Sequence, residues 1–195
     1  MKTIVYLIRH SVRFNNKEMI ESYKTTQNAL LKNEKIVLSV TGEKRAEILS
    51  NEEELKDIDV VYTSNCVRTL QTAKYLLEKQ NLKANIDERF DERRVGLPND
   101  GEVTDWYVRQ YEDENYKTIG GESQADVRNR MYEALQEVIE ANQGKRIAIF
   151  SHGYAITFLL LKWCKLNNIS LRLSEKKRTI KFNNTKIRNH SKWCR

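Results

Sequence analysis

The sequence has little of what usually interrupts or cross-links a chain. Only one proline (Pro98) and seven glycines occur among 195 residues, and no segment repeats at a fixed period, so the elements have to be identified from hydrophobic periodicity. The three cysteines, Cys66, Cys164 and Cys194, lack the C-x-x-C spacing of a zinc site and are too few for a disulfide framework. No apolar run approaches the ~18 residues of a membrane span. We therefore expect a cytoplasmic protein with one buried core and no membrane partner.

Imidazoles are equally scarce, and the charge is unevenly distributed. His10, His152 and His190 are the only histidines, so a metal site would need mostly carboxylate ligands, and we expect no metal. The net charge of +7 invites a nucleic-acid interpretation. However, residues 171–195 hold nine of the 34 Lys and Arg residues and one of the 27 acids, which leaves 25 bases against 26 acids over residues 1–170. The body is nearly neutral, which disfavours a nucleic-acid partner.

Hydrophobic patterning predicts an α/β domain. Three short apolar runs, at 3–8, 58–62 and 146–150, are rich in β-branched residues and do not alternate, as is typical of parallel strands buried on both faces. Helical periodicity lies between and after them, and in the second helix it places Val67, Leu70, Ala73 and Leu77 on one face. The predicted helices are 42–55, 67–77, 123–142, which opens with Ser123 and Asp126 as a capping box, and 153–166. This order of elements favours a mainly parallel sheet.

The residues that end the three predicted strands share one chemistry. Arg9 and His10 follow the first strand, Arg68 opens the helix after the second, and His152 follows the third. Because the carboxyl ends of parallel strands meet at one edge of a sheet, these side chains are expected to lie close together. Any one of these side chains could be an ordinary surface residue. General surface basicity does not explain four of them at one edge, because the body of the chain is nearly neutral. Guanidinium groups and helix N-termini bind anions, so the sequence predicts an anion site.

At this point the motifs resemble those of a known family. The chain over residues 1–165 resembles the histidine phosphatase superfamily, also called the phosphoglycerate mutase-like family. The match of S-N-C-V-R-T-L-Q-T-A at 64–73 is the most specific, because a lone R-H pair is weak evidence. The other similar blocks, in the same order along the chain, are R-H at 9–10, L-S-V-T-G at 38–42, F-D-E-R-R-V-G at 90–96, G-G-E-S at 120–123 and S-H-G at 151–153.

The resemblance implies a fold, an activity and a set of site residues. It implies a three-layer α/β sandwich with a mainly parallel central sheet. It also implies that His10 attacks phosphorus to form a phosphohistidine, that Arg9, Arg68 and His152 hold the phosphoryl oxygens, and that Glu92 protonates the leaving oxygen and later activates water. This chemistry needs neither a metal nor another cofactor.

Two of the implied assignments leave alternatives open. Glu92 lies in a crowded acidic stretch with Asp87, Glu88 and Asp91, and any of these four acids, Glu92 included, could be only a solvated loop charge. Glu92 is favoured by its spacing to the glycine that ends its motif. Asn16, six residues after the first histidine, matches an asparagine that the family often has; it could bind the phosphoryl group or merely close a turn.

The sequence departs from the family pattern beside His10. A glycine usually follows this histidine in the family, and here Ser11 takes its place, with Arg13 two residues later. If the backbone at this position requires a positive φ, a serine costs energy, although its hydroxyl could also contact phosphate. Arg13 adds a cation that would favour a more anionic substrate.

The end of the chain also departs from the pattern. From Asn167 the apolar residues are isolated, so we predict no regular element there. We expect a histidine phosphatase-like domain over 1–170, with an insertion at 90–122 that covers the site, and a basic, weakly ordered tail over 171–195. The tail is either a basic arm or the product of an altered reading frame, and a family-like strand in another frame of the coding DNA would exclude the arm.

The function that we expect is a metal-independent phosphomonoester hydrolase that acts on a small phosphorylated metabolite. The first alternative is a phosphoglycerate mutase, which returns the phosphoryl group to a hydroxyl of phosphoglycerate and excludes water. The second is an inactive module that binds phosphate through Arg9, Arg68 and His152 without turnover. The sequence names neither the substrate nor the oligomeric state.

Overall fold

The computed structural model describes residues 2–15, 33–96, 106–164, 166–172 and 177–182. The chain forms two compact units, Met1–Leu159 and Leu160–Arg195. Asn16 and Pro98 lie outside the described residues. No helix in the described part of the chain has both the length and the apolar character needed to cross a membrane.

A parallel sheet organises the first unit, which confirms the predicted fold class. Its spatial order is β1-β4-β2-β3, and all three pairings are parallel. Strand β4 is buried from Ile147 to Ser151, as the lack of alternation predicts, but β1 is only half-buried because it lies at an end of this order. Strand β3 was not predicted, since three residues are too few to show a period. The strands are β1 (Ile4–Arg9), β2 (Val60–Thr63), β3 (Ala84–Ile86) and β4 (Arg146–Ser151).

Five helices connect or follow these strands in the described part of the chain. The Ser39 side chain caps α1 by accepting the Gly42 N–H at 3.0 Å, and the predicted capping box of Ser123 and Asp126 opens α4. The predicted helix at 42–55 ends at Leu49, and the last predicted helix ends at Leu160. The helices are α1 (Val40–Leu49), α2 (Val67–Gln80), α3 (Trp106–Glu112), α4 (Gln124–Ala141) and α5 (Gly153–Leu160).

The buried face of α2 differs from the predicted apolar stripe. Ala73 and Leu76 pack into a core cluster with Val61 of β2 and Phe150 of β4. The other buried residues of this helix are polar: Arg68, Thr69 and Thr72. Their side chains make hydrogen bonds at the carboxyl edge of the sheet, so α2 serves the core at one end and the predicted anion site at the other.

The second unit contains a strand pair where no regular element was predicted. Strands β5 (Leu166–Arg172) and β6 (Lys177–Phe182) are antiparallel, with Ile169 opposite Ile180. Pairing between two strands stabilises this segment, and such pairing cannot be read from the isolated apolar residues of one strand. The boundary that the sequence analysis placed near residue 170 stays a prediction.

Candidate active site

The sheet register brings the two predicted site histidines together. Arg9 lies opposite Ser151 in the parallel β1/β4 pair, and His10 and His152 each follow their strand directly. The His10 N–H donates to the Ser151 carbonyl at 2.9 Å, which extends the strand pairing by one residue. The centres of the two imidazole rings are 5.2 Å apart. The predicted convergence at the carboxyl edge is therefore present.

The hydrogen bond of His10 determines which ring nitrogen is free. Nδ1 lies 2.7 Å from the Ser11 carbonyl oxygen, and a carbonyl only accepts, so Nδ1 carries the proton and Nε2 presents a lone pair. Burial lowers the pKa of His10 to about 3, and the charges of Arg68, Arg9 and Arg13 add to this effect. His10 is thus a neutral imidazole at neutral pH, and its Nε2 makes no hydrogen bond to any residue that the structure describes.

His152 is held in the opposite tautomer. Nη2 of Arg68 donates to its Nδ1 at 3.0 Å, because a guanidinium has no acceptor. The ring proton therefore resides on Nε2, which donates to the Ser64 hydroxyl oxygen at 2.8 Å. Burial and the neighbouring Arg68 charge lower the pKa of His152 well below its ordinary value. His152 and Arg68 form one neutral-plus-cation pair in the site.

Arg68 is a buried cation in the first turn of α2. Its side chain is 2% exposed, and its Nη1 donates to the Asn33 carbonyl at 2.6 Å. Its Nε makes no hydrogen bond within the described part of the chain. Among the described residues its hydrogen bonds go to the Asn33 carbonyl and the His152 ring, which are neutral. A buried guanidinium so placed favours binding of an anion, since the anion would compensate its desolvation.

Arg9 and Ser11 complete the surroundings of His10. The Arg9 guanidinium passes close to Gly153, where an added Cβ would lie 3.3 Å from its Nε. Ser11 does not have a positive φ, so the serine causes no backbone strain of the kind considered above. Its hydroxyl donates to the Gly42 carbonyl at 2.8 Å, and its N–H donates to Thr72 Oγ1 at 2.9 Å. The Ser11 hydroxyl therefore joins the β1 loop to α1 rather than facing a phosphate.

Glu92 is half-buried, and its carboxyl lies at the N-terminus of α5. Its Oε1 accepts the backbone N–H groups of Arg93 and Ala155, both at 3.0 Å, and its Oε2 accepts that of Tyr154 at 3.3 Å. Burial raises the pKa of Glu92 even though these three hydrogen bonds favour the carboxylate. Oε2, with one long hydrogen bond, is the oxygen that has room for a proton. The arrangement suits a carboxyl that alternates between acid and carboxylate.

The neighbouring acids divide into two groups. Burial of Asp87 raises its pKa, but hydrogen bonds from Arg89, including an ion pair at 2.8 Å, outweigh burial and leave the pKa lowered. Burial raises the pKa of Asp91 to about 6, although its Oδ1 accepts the Asn65 N–H at 2.7 Å. Asp87 is thus an ion-pair partner, whereas the raised pKa of Asp91 makes it a second candidate for proton transfer.

One group of described residues has the types that hold a metal. Ligand atoms of Cys66, Asp91 and His152 all lie within 4.8 Å of one another. Both ring nitrogens of His152 are already hydrogen-bonded, to Arg68 and Ser64, and burial raises the pKa of the Cys66 thiol to about 11. A cation here would have to displace a hydrogen bond, ionise this thiol and sit beside a guanidinium, so the group does not fit a metal ion well.

Sequence reasoning missed two residues beside the acid. Glu122 appeared only as part of the G-G-E-S block, and Arg130 lies mid-helix in α4 without a motif around it. Both make hydrogen bonds to the backbone of the loop that carries Glu92. Nothing in the sequence indicated these contacts, because every residue has a backbone carbonyl and no particular residue type is needed to accept a hydrogen bond there. Of the residues predicted for the site, Arg9, His10, Arg68, Glu92 and His152 lie at this edge of the sheet, and Asn16 lies outside the described residues.

Known proteins resemble this chain in sequence and in fold. The family model of the histidine phosphatase superfamily (branch 1) matches residues 5–188. Phosphoserine phosphatase 1 of Hydrogenobacter thermophilus is 32% identical over 142 residues, which are 69% of this chain and 66% of that protein. A Yersinia enterocolitica protein named "Probable phosphoglycerate mutase GpmB" is 30% identical over 131 residues, 63% of this chain and 61% of that one. The chain thus spans less than two thirds of either relative.

A solved structure shows the same fold. The native structure of a mycobacterial glucosyl-3-phosphoglycerate phosphatase superposes with a TM-score of 0.64 at 20% identity, covering 80% of this chain and 76% of that one. At this identity the likeness concerns the fold alone. With the family match over residues 5–188, the order of the motifs and the paired histidines at one edge of a parallel sheet, the chain belongs to the histidine phosphatase superfamily.

Proposed function

We propose that the protein is a metal-independent phosphomonoester hydrolase that acts through a phosphohistidine on a small phosphorylated metabolite. The observation that carries this proposal is the state of His10: a neutral ring whose Nδ1–H is held by the Ser11 carbonyl and whose Nε2 makes no hydrogen bond to the described residues. A nucleophilic imidazole needs this tautomer. Membership of the superfamily supports the same chemistry.

In the first step Nε2 of His10 attacks phosphorus while the bond from phosphorus to the ester oxygen breaks. The leaving oxygen takes the proton of Glu92, which becomes a carboxylate. Arg9 and Arg68 compensate the charge on the phosphoryl oxygens, and His152 stays neutral beside them. We also propose that Asn16 contacts the phosphoryl group.

In the second step water replaces the histidine. The Glu92 carboxylate takes a proton from the water as its oxygen bonds to phosphorus, and the bond from phosphorus to Nε2 breaks. Inorganic phosphate leaves, and Glu92 is again protonated, so the cycle closes without an external acid or base. Three backbone N–H groups stabilise the carboxylate between the steps.

A phosphoglycerate mutase is the second candidate, supported by the 30% identity to the Yersinia protein of that name. A mutase would pass the phosphoryl group from His10 to a hydroxyl of phosphoglycerate instead of water. The two candidates differ in their product: a phosphatase releases inorganic phosphate, whereas a mutase gives the isomeric phosphoglycerate. An inactive phosphate-binding module would do neither.

We further propose the organisation expected from the sequence: a catalytic domain over 1–170, a basic tail over 171–195 and a cytoplasmic location. The residues proposed for catalysis come from segments between Arg9 and Ala155, whereas the excess positive charge comes from the tail. Because the excess positive charge lies in the tail, it does not support the binding of a nucleic acid at the catalytic site.

The test is phosphate release from an aryl phosphate and from sugar, serine and glycerate phosphates, with EDTA present. We expect release by the wild type and by Lys44→Ala, which changes an exposed residue of α1, and none by His10→Ala. Acid-labile phosphate retained on the wild type, and absent from His10→Ala, would identify the phosphohistidine. Release that persists in His10→Ala, or that EDTA abolishes, would refute the proposal.

A further inference from the structure

One arginine outside the motifs holds the backbone of the loop that carries the acid. Nη1 of Arg130, in α4, donates to the carbonyl oxygens of Arg89 at 2.7 Å and Asp91 at 3.1 Å. Its Nη2 lies 3.4 Å from the carbonyl oxygen of Glu92 itself. A single guanidinium thus bonds three carbonyls within four residues, which a lysine ammonium on a flexible stem does not do with the same geometry.

Glu122 orients this guanidinium from the other side. Nε of Arg130 donates to Glu122 Oε1 at 2.7 Å, and Nη2 donates to Oε2 at 3.0 Å, which is a bidentate ion pair. The Glu122 side chain is 8% exposed. Burial would raise its pKa, but the hydrogen bonds from Arg130 and from the Arg94 N–H leave the pKa lowered, so Glu122 is a carboxylate. The pair is charged and ordered at neutral pH.

Glu122 also bonds the acid loop directly. Its Oε2 accepts the Arg94 N–H at 2.9 Å, its own N–H donates to the Arg94 carbonyl at 2.8 Å, and its carbonyl accepts Nε of Arg93 at 2.7 Å. Arg130 therefore fixes the backbone carbonyls that precede Glu92 and contacts that of Glu92 itself. Glu122 fixes the backbone groups of Arg94, which follow Glu92. The Glu92 carboxyl is in turn bonded to the first turn of α5.

We propose that Arg130, oriented by Glu122, is a positioning residue that aligns the Glu92 carboxyl for proton delivery to the leaving oxygen. This inference rests on the proposed function. Arg130 acts through the loop backbone and touches neither phosphate nor His10. When it is absent, the carbonyls of Arg89 and Asp91 lose a shared donor, the loop loosens, and Glu92 no longer meets the ester oxygen at a fixed distance.

Proton delivery has a signature that separates it from phosphate binding. An alkyl phosphate needs its leaving oxygen protonated, whereas an aryl phosphate releases a stable phenolate without help. A variant that misplaces the acid therefore loses kcat/KM with alkyl phosphates and little with aryl phosphates. The ratio kcat/KM is the right quantity because it reports the steps up to loss of the alcohol or phenol and is independent of the later hydrolysis of the phosphohistidine.

The experiment compares Arg130→Met with Arg128→Met on alkyl and aryl phosphates. Arg128 is a matched control on the same helix, with a side chain 18% exposed against 19% for Arg130, and it pairs with Glu114 away from the acid loop. We expect Arg130→Met to lose about 10²-fold in kcat/KM with the alkyl substrate and less than about fivefold with the aryl substrate. Arg128→Met is expected to behave as the wild type with both.

A second readout is the alkaline limb of the pH profile with the alkyl substrate. In the wild type, burial keeps Glu92 protonated to higher pH. Loosening exposes it to water, so the limb is expected to move to lower pH in Arg130→Met. Arg130→Lys and Glu122→Gln, which keep a polar partner in place, are expected to show the same selectivity more weakly, and they serve if Arg130→Met does not fold.

Three results would overturn the inference. Equal losses with the two substrates would show that Arg130 supports phosphate binding or folding instead. An unchanged alkyl rate in all three variants would show that the loop needs no such support. A wild type without His10-dependent phosphate release would remove the proposed function and this inference together, whereas intact His10-dependent release with equal losses removes this inference alone.

Discussion

Protonation states decide the chemistry at the level of single residues. The two histidines have opposite tautomers, because a carbonyl oxygen faces Nδ1 of His10 and a guanidinium faces Nδ1 of His152. The identity and nearness of both histidines were predictable from strand ends in the sequence. The tautomers were not predictable, since they depend on where the Ser11 carbonyl and the Arg68 guanidinium point in the folded protein.

The half-buried, neutral His10 predicts a pH-dependent contribution to stability. Its pKa is about 3 in the folded protein and near 6.5 when unfolded, so the unfolded state binds the extra proton as pH falls below 6.5. Stability that is present at pH 7 is thus lost towards pH 5. We expect the wild type to lose on the order of 2 kcal/mol more than His10→Gln over that interval. Urea unfolding at pH 7, 6 and 5 measures this, and equal losses would contradict it.

The choice between the two candidate acids is also testable. Glu92 has its carboxyl on the first turn of α5, whereas Asp91 bonds the Asn65 N–H near the start of α2. We expect Glu92→Gln to lower kcat/KM for an alkyl phosphate by ~10²- to 10⁴-fold, and Asp91→Asn by less than about tenfold, as measured by initial rates. The reverse order of the two effects would make Asp91 the acid.

The family pattern suggests that a glycine at position 11 would improve the enzyme, but the contacts of Ser11 predict the opposite. Because the residue lacks a positive φ and its hydroxyl bonds Gly42 O, restoring the family glycine removes a contact and adds backbone freedom. We expect Ser11→Gly to destabilise the fold by about 1 kcal/mol without increasing kcat. Thermal unfolding and turnover of an alkyl phosphate check this, and a several-fold gain in kcat would show that Ser11 hinders His10.

At the level of elements, periodicity predicted what is long and repeated and missed what is short or paired. Strands β1, β2 and β4 and four helices followed from apolar spacing, but β3 has only three residues, and the β5/β6 pair depends on contact across strands. The apolar stripe of α2 predicted only part of its buried face. Ala73 is buried and Leu77 packs against the core, but Thr69 and Thr72 are buried as well, and their side chains make hydrogen bonds.

The approach of α1 to the β1 loop depends on one glycine. A Cβ built at Gly42 would overlap the Val12 carbonyl oxygen, which accepts the Ser39 N–H at 2.9 Å. A backbone atom cannot rotate away, so the helix would have to shift. We expect Gly42→Ala to lower the free energy of unfolding by about 1–3 kcal/mol, whereas Lys44→Ala, on the same helix and exposed, changes it little. Equal stability of the two variants in urea would disprove the close approach.

For the whole molecule, charge and site are separated along the chain. The described site residues all come from the unit Met1–Leu159, while the excess of Lys and Arg lies in 171–195. We expect a chain that ends at residue 182 to keep kcat/KM for a small phosphate within about twofold of the full chain. A tenfold loss, measured on folded protein, would instead give residues 183–195 a part in catalysis.

The spatial order β1-β4-β2-β3 also bears on how the protein is made. Of the four strands of this sheet β1 is translated first, yet its parallel partner β4 begins only at Arg146. Until that segment leaves the ribosome, β1 has no strand to pair with, and β2 lacks the neighbour that links it to β1. A nascent chain that extends past Arg68 but not yet through β4 carries Arg9, His10 and Arg68 without this sheet to align them. Synthesis itself therefore delays the appearance of a reactive histidine until β4 has been added.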